Sequence, residues 1–178
     1  MAEATLSSEL RYRGRVLNLR LDTVRLDGGQ TIVREVVEHA QAVAIVPVND
    51  RGEVFLVRQH RAGPGGPLIE IPAGTMEAGE AAEECARREL QEEIGYAAGR
   101  WERLGSFYLA PGYSTEWLHL FLARDLRASR READFDEDIQ VEMANLDEAL
   151  SRLVGGEPTD MKTMTGLLLA KERLQAAP

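Results

Sequence analysis

The sequence predicts an α/β fold in which a sheet is covered by helices on both faces. Three observations lead to this prediction. Alternating or continuous runs of apolar and β-branched residues predict strands through most of the first 125 positions. A stretch rich in Ala, Glu, Leu and Arg, with neither Pro nor Gly from Glu80 to Ile94, predicts a helix. Two more helical patterns come late, and strands mixed with helices in this order predict layers of both kinds.

Composition limits the classes of protein that fit. The 178 residues make one ordinary domain, long enough to bury a core. A single cysteine excludes an internal disulfide framework and fits a reducing cytoplasm. The start lacks the basic and apolar segments of a signal peptide, and no long apolar run predicts a membrane span, so we expect a soluble, cytoplasmic protein. A formal net charge of -9 argues against nucleic acid or a membrane as partner.

The N-terminal region is predicted to be a β-hairpin. Residues 1–8 have the character of a frayed terminus, and residues 9–38 alternate around the Gly-rich turn at 27–30. An isolated hairpin is marginal in water, so it is expected to pack on the main domain or on another subunit. We therefore expect residues 1–39 to form this region and residues 40–178 the main domain.

A second hairpin is predicted from the strands at 42–48 and 53–61. Arg58 and Arg61 lie near its far end, before the Gly/Pro loop at 62–67. Such arginines are usually only solvated. In an acidic protein they are also candidates for a phosphate clamp, because a guanidinium matches phosphate oxygens with two parallel hydrogen bonds.

The remaining elements follow from the same patterns. Pro72 ends a short strand that leads into the predicted helix. The irregular acidic segment at 131–138 is expected to be a solvated loop. The other predicted elements are strands at 68–72, 100–109, 116–123 and 139–143 and helices at 146–154 and 159–174.

The helix at 80–94 carries acidic residues on its inward side. At 100° per residue, Ala86 and Leu90 fall on one apolar face, and Glu89 and Glu93 share that sector. Most acidic helices simply expose their charges, but carboxylates turned inward repel one another and lose hydration. A cation is expected among them, and Mg²⁺ with its preference for oxygen ligands meets that need. Arg88 can pair with Glu84 and with Glu92, which lies beside the inward pair.

The segment from Gly74 to Tyr96 resembles the Nudix box, G-x5-E-x7-R-E-U-x-E-E-x-G-U, where U is a bulky apolar residue. The matching residues are Gly74, Glu80, Arg88, Glu89, Leu90, Glu92, Glu93 and Gly95, with the aromatic Tyr96 in the last apolar position. The resemblance implies a Nudix-type α/β/α sandwich. It also implies a loop, helix and loop that bind Mg²⁺ or Mn²⁺ and hydrolyse a nucleoside diphosphate linked to another group.

Four shorter stretches resemble the ADP-ribose pyrophosphatase group of that family. They are REVVEH followed by AVAIV, VRQHR, LIEIPAG and PGYSTE. This resemblance implies hydrolysis of the diphosphate bond of ADP-ribose to AMP and ribose 5-phosphate. It also implies a homodimer in which the N-terminal hairpin crosses over and helps to bind the adenine.

The resemblance further implies roles for individual residues. Metal ligands would be the carbonyl of Ala73 with Glu89, Glu92, Glu93 and Glu137, and the catalytic residues would be Glu137, Glu92 and Arg88. Substrate would be bound by Arg34 and Glu35 at the base, by Arg58 and Arg61 at the diphosphate, by Gly112, Ser114 and Glu116 at the terminal ribose, and by Glu70. Some relatives carry a second acid where this chain has Phe135. The identity of the catalytic base is therefore left open between Glu137, Asp136, Asp138 and the box glutamates. Glu80 is expected to brace the loop.

Other functions stay open at this point. The substrate could be a GDP- or UDP-sugar, NADH, a diadenosine polyphosphate or a damaged nucleotide. A Nudix domain that senses a nucleotide without turnover usually lacks one or more box carboxylates, and this chain keeps them all. A purely structural role would not require metal-binding carboxylates.

Overall fold

A computed structural model describes residues 3–131 and 138–176 of the chain. In these ranges the strands are β1 (Glu3–Arg13), β2 (Leu17–Leu26), β3 (Thr31–His39), β4 (Ala42–Pro47), β5 (Glu53–Arg61), β6 (Gly66–Glu70), β7 (Ala73–Thr75), β8 (Tyr96–Tyr108), β9 (Trp117–Ala128) and β10 (Gln140–Asn145). The helices are α1 (Ala82–Glu93), α2 (Leu146–Val154) and α3 (Met161–Gln175). The chain divides into two compact units, which are described separately below. Residues up to 41 join 107–118 in the first unit, and the rest form the second.

The first unit is built on a three-stranded antiparallel sheet in the order β1-β2-β3. The hairpin predicted around the turn at 27–30 is confirmed, because β2 pairs with β3 from Leu17 opposite His39 to Arg25 opposite Thr31. The loop at 110–116 attaches to β3. The N–H of Val37 donates to the carbonyl of Tyr113 at 2.7 Å, and the N–H of Thr115 donates to the carbonyl of Val37 at 2.9 Å.

Strand β1 corrects the sequence prediction for the N-terminus. Residues 3–8 were expected to fray, but they continue β1, whose pairing with β2 starts at Glu3 opposite Leu26. Every residue of β1 is exposed. Main-chain hydrogen bonds to β2 hold this strand in the sheet, and Glu3 also pairs with Arg34 of β3. Residues 3–8 contain only Ala4 and Leu6 as apolar residues, so the sequence shows little alternation there.

The second unit contains a four-stranded sheet in the order β7-β4-β9-β8 and a three-stranded sheet in the order β10-β5-β6. All six residues of β4 are buried, which accounts for its continuous apolar run. Val43 and Ile45 of β4 share a core cluster with Cys85 and Leu90 of α1. On the alternate side, Val46 and Leu120 lie against Gly166 of α3. Helices α1 and α3 therefore cover opposite faces of the sheet, as the sequence predicts.

The prediction of a second hairpin at 42–61 is wrong. Strand β4 is flanked by β7 and β9, whereas β5 is flanked by β10 and β6, so the two strands belong to different sheets. Among the described residues, the two segments are paired by one isolated antiparallel bridge, between Val48 after β4 and Val54 of β5. Both strands are interior strands with two neighbours, and adjacency in sequence does not say which neighbours a buried strand takes.

The late elements agree with the sequence. Helix α2 has the predicted bounds, and Asn145 caps it by accepting a hydrogen bond from the N–H of Asp147 at 3.0 Å. Asp160 caps α3 in the same way through the N–H of Thr163 at 2.8 Å. No helix in the described ranges is both long enough and apolar enough to cross a membrane.

Candidate active site

Helix α1 presents the residues that the sequence singles out. Its buried positions include Cys85, Ala86 and Leu90, which anchor it to the sheet. Gly95 ends the helix with a φ of 77°, a left-handed conformation that glycine adopts without strain. The helix is thereby fixed at both its packing face and its C-terminal end.

Two glutamates of α1 are buried on the inward face. Glu89 is 8% exposed and Glu93 is 5% exposed, whereas Glu83 and Glu84 are exposed. This distribution confirms the prediction made from the helical spacing. Glu92 is half-buried beside them.

The short segment of β7 lies directly against these carboxylates. The N–H of Ala73 donates to Oε2 of Glu93 at 3.0 Å. A Cβ atom placed on Gly74 would lie 1.9 Å from the carboxyl carbon of Glu89. A side chain at this position would therefore displace the carboxylate of Glu89.

Arg88 binds three carboxylates at once. Its Nη1 donates to Glu89 at 2.6 Å and to Glu92 at 2.9 Å, and its Nε and Nη2 reach the two oxygens of Glu80 at 3.0 and 3.1 Å. The predicted pair with Glu92 is confirmed. The partner on the other side is Glu80 rather than Glu84, whose carboxylate instead accepts from the N–H of Ala81 at 3.4 Å.

These contacts shift the pKa values of both partners. Hydrogen bonding to Arg88 lowers the pKa of Glu80 to about 2, and the N–H of Glu77 adds to the effect. Hydrogen bonding to Glu80, the charge of Glu89 and hydrogen bonds to Glu92 and Glu89 raise the pKa of Arg88 above its usual value. Glu80 therefore braces the loop that precedes α1, as its position in the sequence predicts.

The donor chemistry of α1 fits a hard divalent cation. Glu89, Glu92 and Glu93 offer only carboxylate oxygens, and two of these side chains are withdrawn from water. As they are arranged in the described ranges, no three His, Cys, Asp or Glu side chains form a group that could hold a metal ion. Arg88 instead donates hydrogen bonds to carboxylate oxygens of Glu89 and Glu92.

A second charged cluster lies beside the start of the box. Arg61 binds Glu70 with two parallel hydrogen bonds, from Nε at 2.8 Å and from Nη2 at 2.7 Å. The Nζ atom of Lys162 donates to the same Glu70 at 2.6 Å and also contacts Asp160. Glu70 is 1% exposed, so this carboxylate is held by two cations inside the protein.

Arg58 lies in a separate ion-pair network. Its Nη2 donates to Glu157 at 2.8 Å, and Arg152 binds both Glu157 and Glu142 at 2.7 and 2.8 Å. The two predicted diphosphate ligands thus differ, since Arg61 faces a buried carboxylate and Arg58 faces half-buried ones.

The predicted base-binding and ribose-binding residues lie in the first unit. Arg34 pairs with Glu3, and the exposed Glu35 lies opposite Leu21 on the neighbouring strand. The hydroxyl of Ser114 accepts a hydrogen bond from the N–H of Glu116 at 3.1 Å. A Cβ atom on Gly112 would meet nothing within 4 Å.

Most candidates for the catalytic base lie outside the described residues. Glu137 and Asp136 both belong to the segment 132–137, and Asp138 is the described acid that follows it. Their assignment stays a prediction from the resemblance.

Sequence reasoning missed Lys162. Only two lysines occur in the whole chain, against nineteen arginines. A cation in the first turn of a helix is also unfavourable beside the positive end of the helix dipole. Together these two features could have indicated a lysine with a specific partner elsewhere.

Comparison with known proteins relates the chain to a large family. The model of the NUDIX domain matches residues 38–165. Among curated relatives, an ADP-ribose pyrophosphatase of Bacillus subtilis (strain 168) is 38% identical over 180 residues, covering 99% of this chain and 97% of the relative. An ADP-ribose pyrophosphatase of Mycobacterium tuberculosis (strain ATCC 25618 / H37Rv) is 41% identical, covering 92% of this chain and 81% of the relative.

Two further similarities extend over most of the chain. A methanol dehydrogenase activator of Bacillus methanolicus is 38% identical, covering 91% of this chain and 89% of the relative. The crystal structure of an ADP compounds hydrolase matches with a TM-score of 0.89 and 25% identity, covering 98% of this chain and 95% of that one. The match supports the predicted α/β architecture of the fold.

Proposed function

Because the chain belongs to the NUDIX domain family, we propose that it hydrolyses the diphosphate bond of ADP-ribose to AMP and ribose 5-phosphate. The observation that carries this proposal is the identity of 38 to 41% with two ADP-ribose pyrophosphatases over at least nine tenths of the chain. The complete set of box residues, with Glu89 and Glu93 buried against Ala73 and Gly74, supports an active enzyme rather than a sensor.

The reaction adds water across one phosphorus–oxygen bond. The water oxygen bonds to phosphorus, the bridging oxygen leaves with the other phosphate, and the proton of the water is taken up by a base. Nudix hydrolases generally use divalent metal ions, and we propose Mg²⁺, with Mn²⁺ as a substitute. Glu89, Glu92, Glu93 and the carbonyl of Ala73 would hold the ion, with Glu137 as a further ligand or the base. When bound, the ion supplies positive charge that neutralises the phosphates and polarises their phosphorus–oxygen bonds.

The protein's own side chains provide orientation. Arg88 holds Glu92 and Glu89, and Glu80 holds Arg88 in turn, so the carboxylates of α1 start from fixed positions. Arg61 and Arg58 are proposed to bind the diphosphate. Arg34 and Glu35 are proposed to bind the adenine base of the substrate. Gly112, Ser114 and Glu116 are proposed to bind the terminal ribose. Glu70 takes part by holding Arg61.

We also propose a homodimer formed through the N-terminal region. Large apolar side chains are exposed there and would be covered by a second copy. They are Leu6, Leu10, Tyr12, Val16, Leu17 and Val33. The cytoplasmic location expected from the single cysteine stays a prediction.

A hydrolysis panel tests the substrate. With Mg²⁺ present, AMP release from ADP-ribose is measured beside turnover of GDP-mannose, UDP-glucose, NADH and diadenosine polyphosphates. A clear preference for ADP-ribose is expected. Preference for another substrate would overturn the assignments of Arg34, Glu35 and Glu116, and silence across the panel would favour a sensor.

A charge-removing variant tests the metal assignment. Glu93→Gln keeps an oxygen that can accept from Ala73 and is expected to leave the melting temperature nearly unchanged while lowering turnover by about 100-fold or more. The matched control is Glu83→Gln on the exposed side of α1, which should keep full activity. Full activity of Glu93→Gln at limiting Mg²⁺ would contradict the assignment.

A further inference from the structure

Lys162 contacts Glu70, the residue that holds Arg61 at the proposed diphosphate site, although neither the box nor the shorter motifs include this lysine. Its side chain is 11% exposed, and its Nζ donates to Glu70 at 2.6 Å. It also contacts Asp160, which caps α3. Lys162 therefore connects the beginning of α3 to the buried carboxylate at the end of β6.

Glu70 in turn fixes Arg61. Both oxygens of Glu70 accept from Arg61, so the plane of the guanidinium is set by the plane of the carboxylate. Within the described ranges, no hydrogen bond is found from the remaining nitrogen, Nη1 of Arg61. That nitrogen can therefore donate to a phosphate oxygen without giving up the pair with Glu70.

The charged side chains of this cluster shift the pKa values of one another. Burial alone would raise the pKa of Glu70, but hydrogen bonds from Arg61 and the charge of Lys162 lower it below its usual value. Hydrogen bonds to Glu70, with the charges of Glu93 and Asp160 adding to them, raise the pKa of Arg61. Arg61 is thus within electrostatic reach of the box glutamate Glu93.

The main chain ties the same two segments together. The N–H of Ile69 donates to the carbonyl of Pro158 at 2.9 Å, and the N–H of Ile71 donates to the hydroxyl of Thr163 at 3.0 Å. The hydroxyl of Thr159 donates to the carbonyl of Ile69 at 2.6 Å. Because the backbone is already anchored on both sides of Glu70, loss of the Lys162 ammonium should disturb side-chain orientation more than the fold.

We propose that Lys162 is a positioning residue, which holds Glu70 so that Arg61 presents its free guanidinium edge to the diphosphate of the substrate. This inference rests on the proposed function. Lys162 does not touch the substrate and acts only through Glu70 and Arg61.

A set of variants separates this role from a purely structural one. In Lys162→Met we expect KM for ADP-ribose to rise about tenfold with kcat changed less than about threefold, because ground-state binding is what an oriented Arg61 supplies. Lys162→Arg should recover most of the loss. The double variant Arg61→Gln with Lys162→Met should bind substrate no worse than Arg61→Gln alone, since Lys162 acts through Arg61.

The second lysine of the chain provides the matched control. Lys171 lies on the same helix, pairs with Asp147 at 2.7 Å and is 37% exposed. Lys171→Met should leave KM unchanged. If Lys162→Met behaves like Lys171→Met, or if its effect simply adds to that of Arg61→Gln, the proposal is overturned.

A measurement on the unaltered protein covers the case in which Lys162→Met does not fold. Lysine labelled with ¹³C at Cε gives one signal for each of the two lysines. On saturation with Mg²⁺ and the α,β-methylene analogue of ADP-ribose, the Lys162 signal should shift while that of Lys171 stays. An unmoved Lys162 signal with the analogue bound would overturn the proposal. Absence of ADP-ribose turnover in the unaltered protein would instead reject the proposed substrate, and the same variants would then be measured with the substrate that the panel identifies.

Discussion

Arg88 illustrates how one residue can organise a site that contains several groups of the opposite charge. Its guanidinium has donors for three carboxylates, and the structure uses them on Glu80, Glu89 and Glu92. Glu80 differs from the other two because it lies in the loop before the helix. The ion pair therefore joins the loop to α1 as well as balancing charge.

At this scale we predict that the Glu80–Arg88 pair makes stability depend on acid pH. The folded-state pKa of Glu80 is about 2, below the ordinary value of 4.5. The stabilisation is therefore present above pH 4.5 and is lost as the pH falls towards 2. Glu80→Gln should lower the free energy of unfolding by about 1 to 3 kcal/mol at pH 7, with a smaller difference at pH 3.

Urea unfolding at pH 3, 5 and 7 measures this difference. Glu83→Gln is the control, because the pair of Glu83 with Arg87 is exposed and should contribute less than about 0.5 kcal/mol. An equal effect of Glu80→Gln at all three pH values would show that the ion pair is not its cause.

Among the elements, helices were predicted better than strand partners. The bounds of α1 and α2 follow from local signals: composition, helical spacing and a glycine at the end. Strand partners depend on distant segments, which is why β4 and β5 were wrongly joined as a hairpin. Residues 3–8 of β1 were missed because Ala4 and Leu6 are their only apolar residues, too few to show an alternating pattern.

The same distinction holds within the candidate site. The inward position of Glu89 and Glu93 follows from helical geometry alone. The contact of Lys162 with Glu70 joins residues 92 positions apart, and no local pattern predicts it.

The packing of α3 on the sheet gives a prediction at the scale of elements. A Cβ atom on Gly166 would lie 2.8 Å from Ile71 and 3.1 Å from Val46, closer than side chains normally pack. Gly166→Ala should gain about 1 kcal/mol from helix propensity but lose about 1 to 3 kcal/mol to overpacking, for a net decrease in stability. Leu168→Ala, at an exposed position of the same helix, is the control for thermal unfolding. A rise in melting temperature for Gly166→Ala would contradict the packing argument.

At the scale of the whole molecule, we predict that two copies of the protein associate as a dimer. A net charge of -9 opposes the approach of two copies, so a dimer must gain from apolar burial. Leu10 and Tyr12 are both exposed on β1. We expect sedimentation to show a dimer that becomes monomeric in the variant Leu10→Glu with Tyr12→Glu.

Salt provides an independent check of that dimer. Raising the ionic strength screens the repulsion between like-charged copies and should strengthen the association. The control is Val154→Glu, a change at an exposed apolar position of α2 that should leave the dimer intact. A monomer at all concentrations of the unaltered protein would reject the dimer.

Cys85 makes it possible to measure motions of α1. It is the chain's single cysteine, it is completely buried under the helix, and burial raises the pKa of its thiol. A thiol reagent can therefore reach it only when the helix separates from the sheet. The rate of labelling measures how often the proposed metal-binding helix opens, without any probe having to be introduced.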